Sequence, residues 1–232
     1  MSSSAAFRGF SKKSLQFFTD LKANNDRDWF AAKKSTYVQA VVEPAQDFIL
    51  SLGSRLAELH PDVQYDTAAN GTGSMFRIYR DVRFSQDKSP YKTHLGIVFW
   101  IGAGKKTERP GYYFGLSDGP PQVYAGLHGF SRHQLQAYRR ALSDAESANQ
   151  LAEILATLQS EGYHVGEPHY KRVPSGFDPD HPHGDLLRQN SVSARSPEIP
   201  VRIALSGELV DVCFEHCVTM SPLNRWLLEM PA

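Results

Sequence analysis

Cysteine is almost absent from this chain: Cys213 and Cys217 are the only two in 232 residues. Two thiols make no disulfide framework, and four-residue spacing is a poor zinc signal. Both are expected to be free, internal and in a reducing compartment. Net charge is absent as well. With 25 cationic and 25 anionic side chains, no global field draws the chain to a polynucleotide or a membrane surface. Any polyanion contact would need a local patch. Long apolar runs are missing too: the strongest, LGIVFWIG at 95–102, falls far short of the roughly 20 residues that span a bilayer. The N-terminal MSSSAAF lacks the basic-then-apolar order of a secretion signal, so the expected location is cytoplasmic. Familiar catalytic and nucleotide-binding fingerprints also fail. GAGKK has neither the spacing nor the Ser/Thr of a P-loop, and NGTGSM is not framed by a strand and a helix. GxSxG and HExxH do not occur, nor does an internal repeat or a low-complexity linker.

What remains reads as one globular domain over residues 1–232. A hydrophobic fraction of 41% at this length builds a core without disulfide or metal. Leu15, Phe18 and Leu21 recur at helical spacing behind Ser11 as a cap, and Asn24-Asn25 stops that helix. A second helix starts near Asp26, and Pro44 is expected to kink or restart it. Phe48, Leu52, Leu56 and Leu59 then line one face down to His60-Pro61. Between 62 and 128 the pattern becomes β. MFRIYRD alternates, with Phe76, Ile78 and Arg80 on one face. HLGIVFWIG is apolar on both faces, and GYYFGLSDG and QVYAGLHG follow with Pro120-Pro121 between them. Helices return from Ser131, and a short one is expected near 183–190. Strands are predicted at 199–205 and 208–215, and a last helix behind Ser221-Pro222. The predicted fold class is α+β: a single domain with a mostly antiparallel central sheet flanked by helices.

The most distinctive segment is RIYRDVRFSQDKSPYK, residues 77–92. Arg77, Arg80, Arg83, Lys88 and Lys92 stand among Tyr79, Tyr91 and two aspartates, Asp81 and Asp87. Cations held among apolar residues build either a pocket for an anion or an internal ion-pair network. In the first case Arg80 and Arg83 grip the anion, Lys88 and Lys92 add charge, and Tyr79 or Tyr91 orients the ligand. Asp81 then fixes an arginine or acts as a base. In the second case Asp81 and Asp87 neutralise their neighbours. The span 141–167 holds five acidic residues and no Lys or Arg. It is either a solvated face or an electrostatic partner for the basic segment, within the chain or across a homodimer.

Other groupings are weaker. DPDHPHGD supplies Asp178, Asp180, His181, His183 and Asp185, a carboxylate–imidazole set suited to zinc, manganese or iron, but Pro179 and Pro182 restrict its backbone. His94 is a candidate general base, and a structural histidine is the plainer reading. The same holds for His128 and His133. Cys213, His216 and Cys217 form C-x-x-H-C, read as core packing on a strand edge.

Several blocks resemble the DUF2461 family of uncharacterised proteins: GFSKKSLQFFTDLKANNDRDWFAAKKSTY, FRIYRDVRFSQDKSPYKTH and PGYYFGL, with weaker matches in RVPSGFDPDHP and SPLNRWL. The resemblance spans nearly the whole chain and implies one family domain, without implying a reaction. It implies a shared site at Arg77, Arg80, Asp81, Arg83, Phe84, Lys88, Tyr91 and Lys92, with Asn25, Trp29 and Phe30 behind them. Ser175 stands where relatives carry lysine. The sequence therefore points first to a pocket for a small anionic or phosphorylated ligand. Next comes a structural or protein-interaction role through segments 75–94 and 141–167, then a metal-dependent enzyme using 178–185. It assigns no cofactor and no metal ligand, and it disfavours membrane and nucleic-acid partners.

Overall fold

Residues 6–231 are described by a computed structural model. Helix α1 (Lys12–Ala23) begins at Ser11 with a reciprocal capping box: Ser14 N–H donates to the Ser11 hydroxyl and Ser11 N–H to the Ser14 hydroxyl. Helix α2 (Arg27–Tyr37) is capped by Asp26, whose carboxylate accepts from Trp29 N–H at 2.8 Å. The expected disturbance at Pro44 takes the form of a single π-helical turn, Val38–Val42, that leads directly into α3 (Glu43–Leu59). Pro44 has no N–H to give the Ala40 carbonyl four residues back. The Ser14 hydroxyl donates to that carbonyl instead, at 2.5 Å, so α1 repairs the hydrogen bond that proline removes.

The sheet has six antiparallel strands in the order β1-β2-β3-β4-β6-β5. They are β1 (Val63–Gln64), β2 (Leu95–Ile101), β3 (Gly111–Leu116), β4 (Gln122–Leu127), β5 (His164–Val165) and β6 (Val192–Arg195). Helices α4 (Arg132–Leu142), α5 (Ala145–Ser160), α6 (Gly184–Leu187), α7 (Val201–Ala204) and α8 (Leu209–Leu228) complete the chain. One hydrophobic core joins the helices to one face of the sheet, as an α+β domain requires.

Four sequence expectations need correction. The alternating stretch after NGTGS is not a strand; only single bridges form, Met75 with Ile97 and Tyr79 with Tyr91. The strands predicted at 199–205 and 208–215 are helices α7 and α8. Leu209, Val210, Cys213, Cys217, Met220, Leu223 and Leu227 are all buried at spacings that mostly follow the helical repeat, and a helix packed against α3, α5 and β4 is apolar on several sides, which blurs its periodicity. That helix runs unbroken through Pro222 instead of restarting there. Finally, β2 is buried on one face only. Leu95, Ile97, Phe99 and Ile101 enter the core, whereas Val98 and Trp100 are half-buried on the other side.

Helix α8 also fastens the sheet. Asn224, fully buried, donates from Nδ2 to the Gly111 carbonyl at 3.1 Å and accepts from Gly126 N–H at 3.0 Å. Gly111 and Gly126 are cross-strand partners in β3 and β4, so one side chain bridges both strands. Gly126 has φ +121°, and a Cβ there would meet the Val192 carbonyl oxygen at 2.2 Å; only glycine fits. Nearby, buried His60 and Tyr112 share a hydrogen bond of 2.8 Å across the core.

Candidate functional site: an aromatic hollow on the open sheet face

Strand register dictates what the second face of the sheet presents. Side chains alternate along each strand, so the residues opposite the core are Val98 on β2, Tyr113 on β3, Tyr124 on β4 and Arg195 on β6. They form one cross-strand row through the pairs Val98–Tyr113, Tyr113–Tyr124 and Tyr124–Arg195. Flanking rows are largely glycine: Gly111, Gly126 and Ser193 beyond Trp100 on one side, Gly96, Gly115 and Gln122 on the other. A Cβ at Gly96 would lie 2.6 Å from the Tyr113 hydroxyl, so the bare position gives that ring its present room. Tyr113 and Tyr124 meet edge-to-face at 5.6 Å between centroids, and Phe76 lies 6.2 Å from Tyr113. Burial, and then Tyr124, pushes the Tyr113 hydroxyl up to about 12.

Over the Gly111–Gly126 row this surface sinks into a hollow of about 380 Å³. Its walls are Phe76, Val98, Tyr113, Tyr124 and Leu127, and its rim carries Lys106, Thr107, Arg109, His128 and Ser193. The β2–β3 loop supplies the cations. Lys106 Nζ donates to the carbonyls of Gly71, at 2.7 Å, and Gly73, and sits 4.5 Å from the Phe76 centroid. Arg109 Nε donates to the Ile101 carbonyl at 3.0 Å, which fixes the guanidinium over the loop. Lys92 Nζ lies 5.4 Å from the same Phe76 ring and donates to the Arg77 carbonyl at 3.0 Å. Burial lowers the affinity of both lysines for their protons; Arg77 adds to this at Lys92, and Lys92 at Lys106, against a smaller opposing pull from Asp66. Among the described residues, the ion pairs join Lys22–Asp118, Arg55–Asp211, Arg80–Asp87, Arg83–Asp81, Lys105–Glu108 and Arg188–Asp185. Within that set, Lys92, Lys106 and Arg109 pair with no carboxylate.

The residues singled out from the sequence divide into three groups. Residues 78–80 and 90–92 lie side by side, Arg80 N–H donating to the Pro90 carbonyl and Lys92 N–H to that of Ile78. Tyr91 is the buried anchor of this arm. It stacks on Phe30 at 4.2 Å, and Asn25 brackets its backbone at 2.9 and 3.0 Å. Arg80, Tyr91 and Lys92 then line a second cavity of about 400 Å³ beside His94, Asn25 and Lys22. Asp87 shares that cavity and pairs with Arg80. The third group lies at the exposed tip. Arg83 grips Asp81 through three hydrogen bonds and draws its carboxyl down to about 2. Lys88 donates to the Val82 carbonyl. Asp87 is held below the carboxylate range by Ser89 first and then Arg80. Phe84 stands 95% exposed and Tyr79 54%. Arg77 is exposed beside Phe76.

The acidic span does not meet the basic segment within the chain, since no ion pair among the described residues joins 75–94 to 141–167. In DPDHPHGD, His183 Nε2 donates to Asn149, His181 Nδ1 accepts from the His183 backbone, and Asp185 pairs with Arg188. Among the described residues no three His, Cys, Asp or Glu side chains are placed to hold a metal ion. His216 bonds the Tyr163 hydroxyl at 2.7 Å. Cys213 and Cys217 lie buried on α8, one turn apart, with burial raising both thiols.

Sequence reasoning passed over Lys106 and Arg109, which sit in GAGKKTERPG, a stretch that reads only as an exposed connection. A usable signal was present: G-x-Y-x-G in β3 and Q-x-Y-x-G in β4 place tyrosine between small residues on the face away from the core.

These features define an α+β protein with one sheet face left open around an aromatic, cation-rimmed hollow. The chain belongs to the family described as Conserved hypothetical protein (DUF2461), whose model matches residues 13–226. No curated protein and no solved structure matches it. No helix among the described residues is long and apolar enough to cross a membrane.

Proposed function

We propose that this protein binds a small anionic, phosphorylated ligand on its open sheet face, and that it does so in the cytoplasm. One observation carries the reading. Lys106 and Arg109 line the hollow and Lys92 lies 5.4 Å from the Phe76 ring that walls it, none of the three in an ion pair among the described residues, whereas Arg80 and Arg83 pair with Asp87 and Asp81. Like charges held close and partly desolvated oppose one another, as the lowered proton affinity of both lysines reflects. A bound anion relieves that opposition, and a site with 380 Å³ of space lies within the range of about 300–1,000 Å³ usual for small ligands. The test is a thermal-shift screen of phosphate monoesters against wild type, Lys106→Met and Arg80→Met. A stabilisation present in wild type and Arg80→Met but lost in Lys106→Met is expected. Loss in Arg80→Met alone would move the site to the neighbouring cavity, and no stabilisation by any monoester would remove the reading.

A second reading rests on Phe84, a large aromatic standing in solvent on a loop braced by its own ion pairs. Exposed aromatics anchor protein partners. If the loop tip mediates self-association, sedimentation of wild type shows a dimer that Phe84→Ser dissociates; a monomer in both ends that role.

A further inference from the structure

We infer that the ligand carries a planar ring as well as a phosphate, which makes it a mononucleotide or a close relative of one. This rests on the anion site proposed above and concerns what lies beyond the anion. Simple phosphates need only donors and charge, yet most of this hollow is neither. Its floor is the glycine row of β3 and β4, and its walls are the rings of Phe76, Tyr113 and Tyr124 with Val98 and Leu127. Phe76 joins the two parts of the arrangement, because Lys92 and Lys106 lie 5.4 and 4.5 Å from its ring centroid and the Tyr113 ring lies 6.2 Å from it. A ligand anchored by phosphate at Lys106 and Arg109 therefore projects its remainder along aromatic surface. An extended sugar chain would find few polar partners there. A flat heterocycle gains stacking contact, and finds Thr107, His128 and Ser193 on the rim for its polar edge.

Open antiparallel sheet faces with exposed aromatics between basic residues are a general solution for holding nucleobases. Here the platform is short. The β2–β3 loop and His128 flank the hollow at one end of the strands, the Val98–Tyr113–Tyr124 row marks its limit along them, and the chain has no net positive charge to track a polyanion. One nucleotide fits these limits better than a strand does.

Calorimetric titration of the full chain separates the two levels of the proposal. The probes are the four common ribonucleoside 5′-monophosphates, their nucleosides, ribose 5-phosphate and inorganic phosphate. Base stacking on aromatic side chains supports a gain of about tenfold or more for at least one nucleotide over ribose 5-phosphate. Tyr124→Leu should reduce that nucleotide to the level of ribose 5-phosphate and leave ribose 5-phosphate unchanged. Lys106→Met should reduce it to the level of its nucleoside. Equal binding of ribose 5-phosphate and every nucleotide overturns the ring inference while the anion site stands. Failure of every phosphate-bearing probe, or binding indifferent to Lys106→Met, overturns the anion site itself. Tighter binding of a decanucleotide than of any mononucleotide would replace the single-nucleotide site with a strand-binding surface. Melting curves of both variants, expected within a few degrees of wild type for these partly exposed side chains, exclude misfolding as the cause.

Discussion

Replacing Asn224 with alanine should be among the most damaging single changes in the chain. Its side chain serves the Gly111 carbonyl and the Gly126 N–H together, the first bond buried and the second partly so. Leaving a buried polar group unpaired costs about 1–3 kcal/mol, so two such groups amount to roughly 2–6 kcal/mol. In a domain of this size about 4 kcal/mol lowers the melting temperature by roughly 8–16 °C. Urea unfolding followed by helical circular dichroism gives the number directly. Asn224→Asp supplies a signed control. The introduced carboxylate still accepts from Gly126 but opposes the Gly111 carbonyl oxygen, whereas the protonated acid can donate to it. The folded-state affinity of the new carboxyl group for its proton is thereby raised, so its stabilisation is present below the ordinary carboxylate pKa of about 4 and lost as pH rises through the higher folded value. Relative to wild type, this variant should recover toward acid pH. A cost for Asn224→Ala below about 1 kcal/mol would refute the reasoning and show that Gly111 and Gly126 find other partners.

Ser14→Ala removes the acceptor of the Ser11 N–H in the α1 capping box and the donor that serves Ala40 in place of Pro44; a loss of about 1–3 kcal/mol is expected in urea unfolding. The same change should cost less in a Pro44→Ala background, where an N–H is restored, and equal costs in both backgrounds would contradict the repair. Cys213 and Cys217 are fully buried with raised thiol pKa values, so Ellman's reagent should react with neither until the protein unfolds, and rapid native labelling would count against their placement. Burial holds His60, His94 and His216 below the usual 6.5, with Arg225 and Lys92 adding to the effect at the first two. A depressed folded-state value means this stability is complete above about pH 6.5 and is lost as pH falls through the lower folded values; a urea midpoint that is flat or rising from pH 7 to pH 5 would disprove it.

The sequence made the capped helices and the β2–β4 meander legible because each carries a local signal: Ser11 and Asp26 at helix starts, and alternating Tyr and Gly between turn residues. Residues 75–81 misled because alternation is also what a chain shows when it crosses a strand edge and makes single bridges. Segment 199–215 misled for the opposite reason. Its Val, Ile, Leu and Cys content reflects burial on several sides, and burial erases the helical period. Pro222 strengthened the error, since proline inside a helix interior is rare and proline at a helix start is common. At the site, Lys92 was legible as part of a dense block, and so was its setting with Tyr91, Asn25 and Phe30. Lys106 and Arg109 were not. They reach the hollow only because the β2–β3 turn folds back over the open face, and the cross-strand register that exposes Tyr113 and Tyr124 there belongs to the fold. Charge density pointed to Arg80 and Arg83, but a nearby aspartate decides whether a cation is available to a ligand, and that is a matter of geometry.

The central claim is that Lys106 and Arg109, with Lys92 close by at Phe76, and not the cations of the 77–88 loop, receive the ligand's anion. Side-chain nitrogen NMR of the lysines, titrated with the ribonucleoside 5′-monophosphates and ribose 5-phosphate, addresses it atom by atom. The account expects the Lys92 and Lys106 ammonium signals to move together on addition of a phosphate monoester, with their lowered pKa values rising as a dianion settles beside them, while Lys88 stays fixed. Movement of Lys88 with Lys92 and Lys106 unchanged, or no movement of any lysine at saturating monoester, would contradict it.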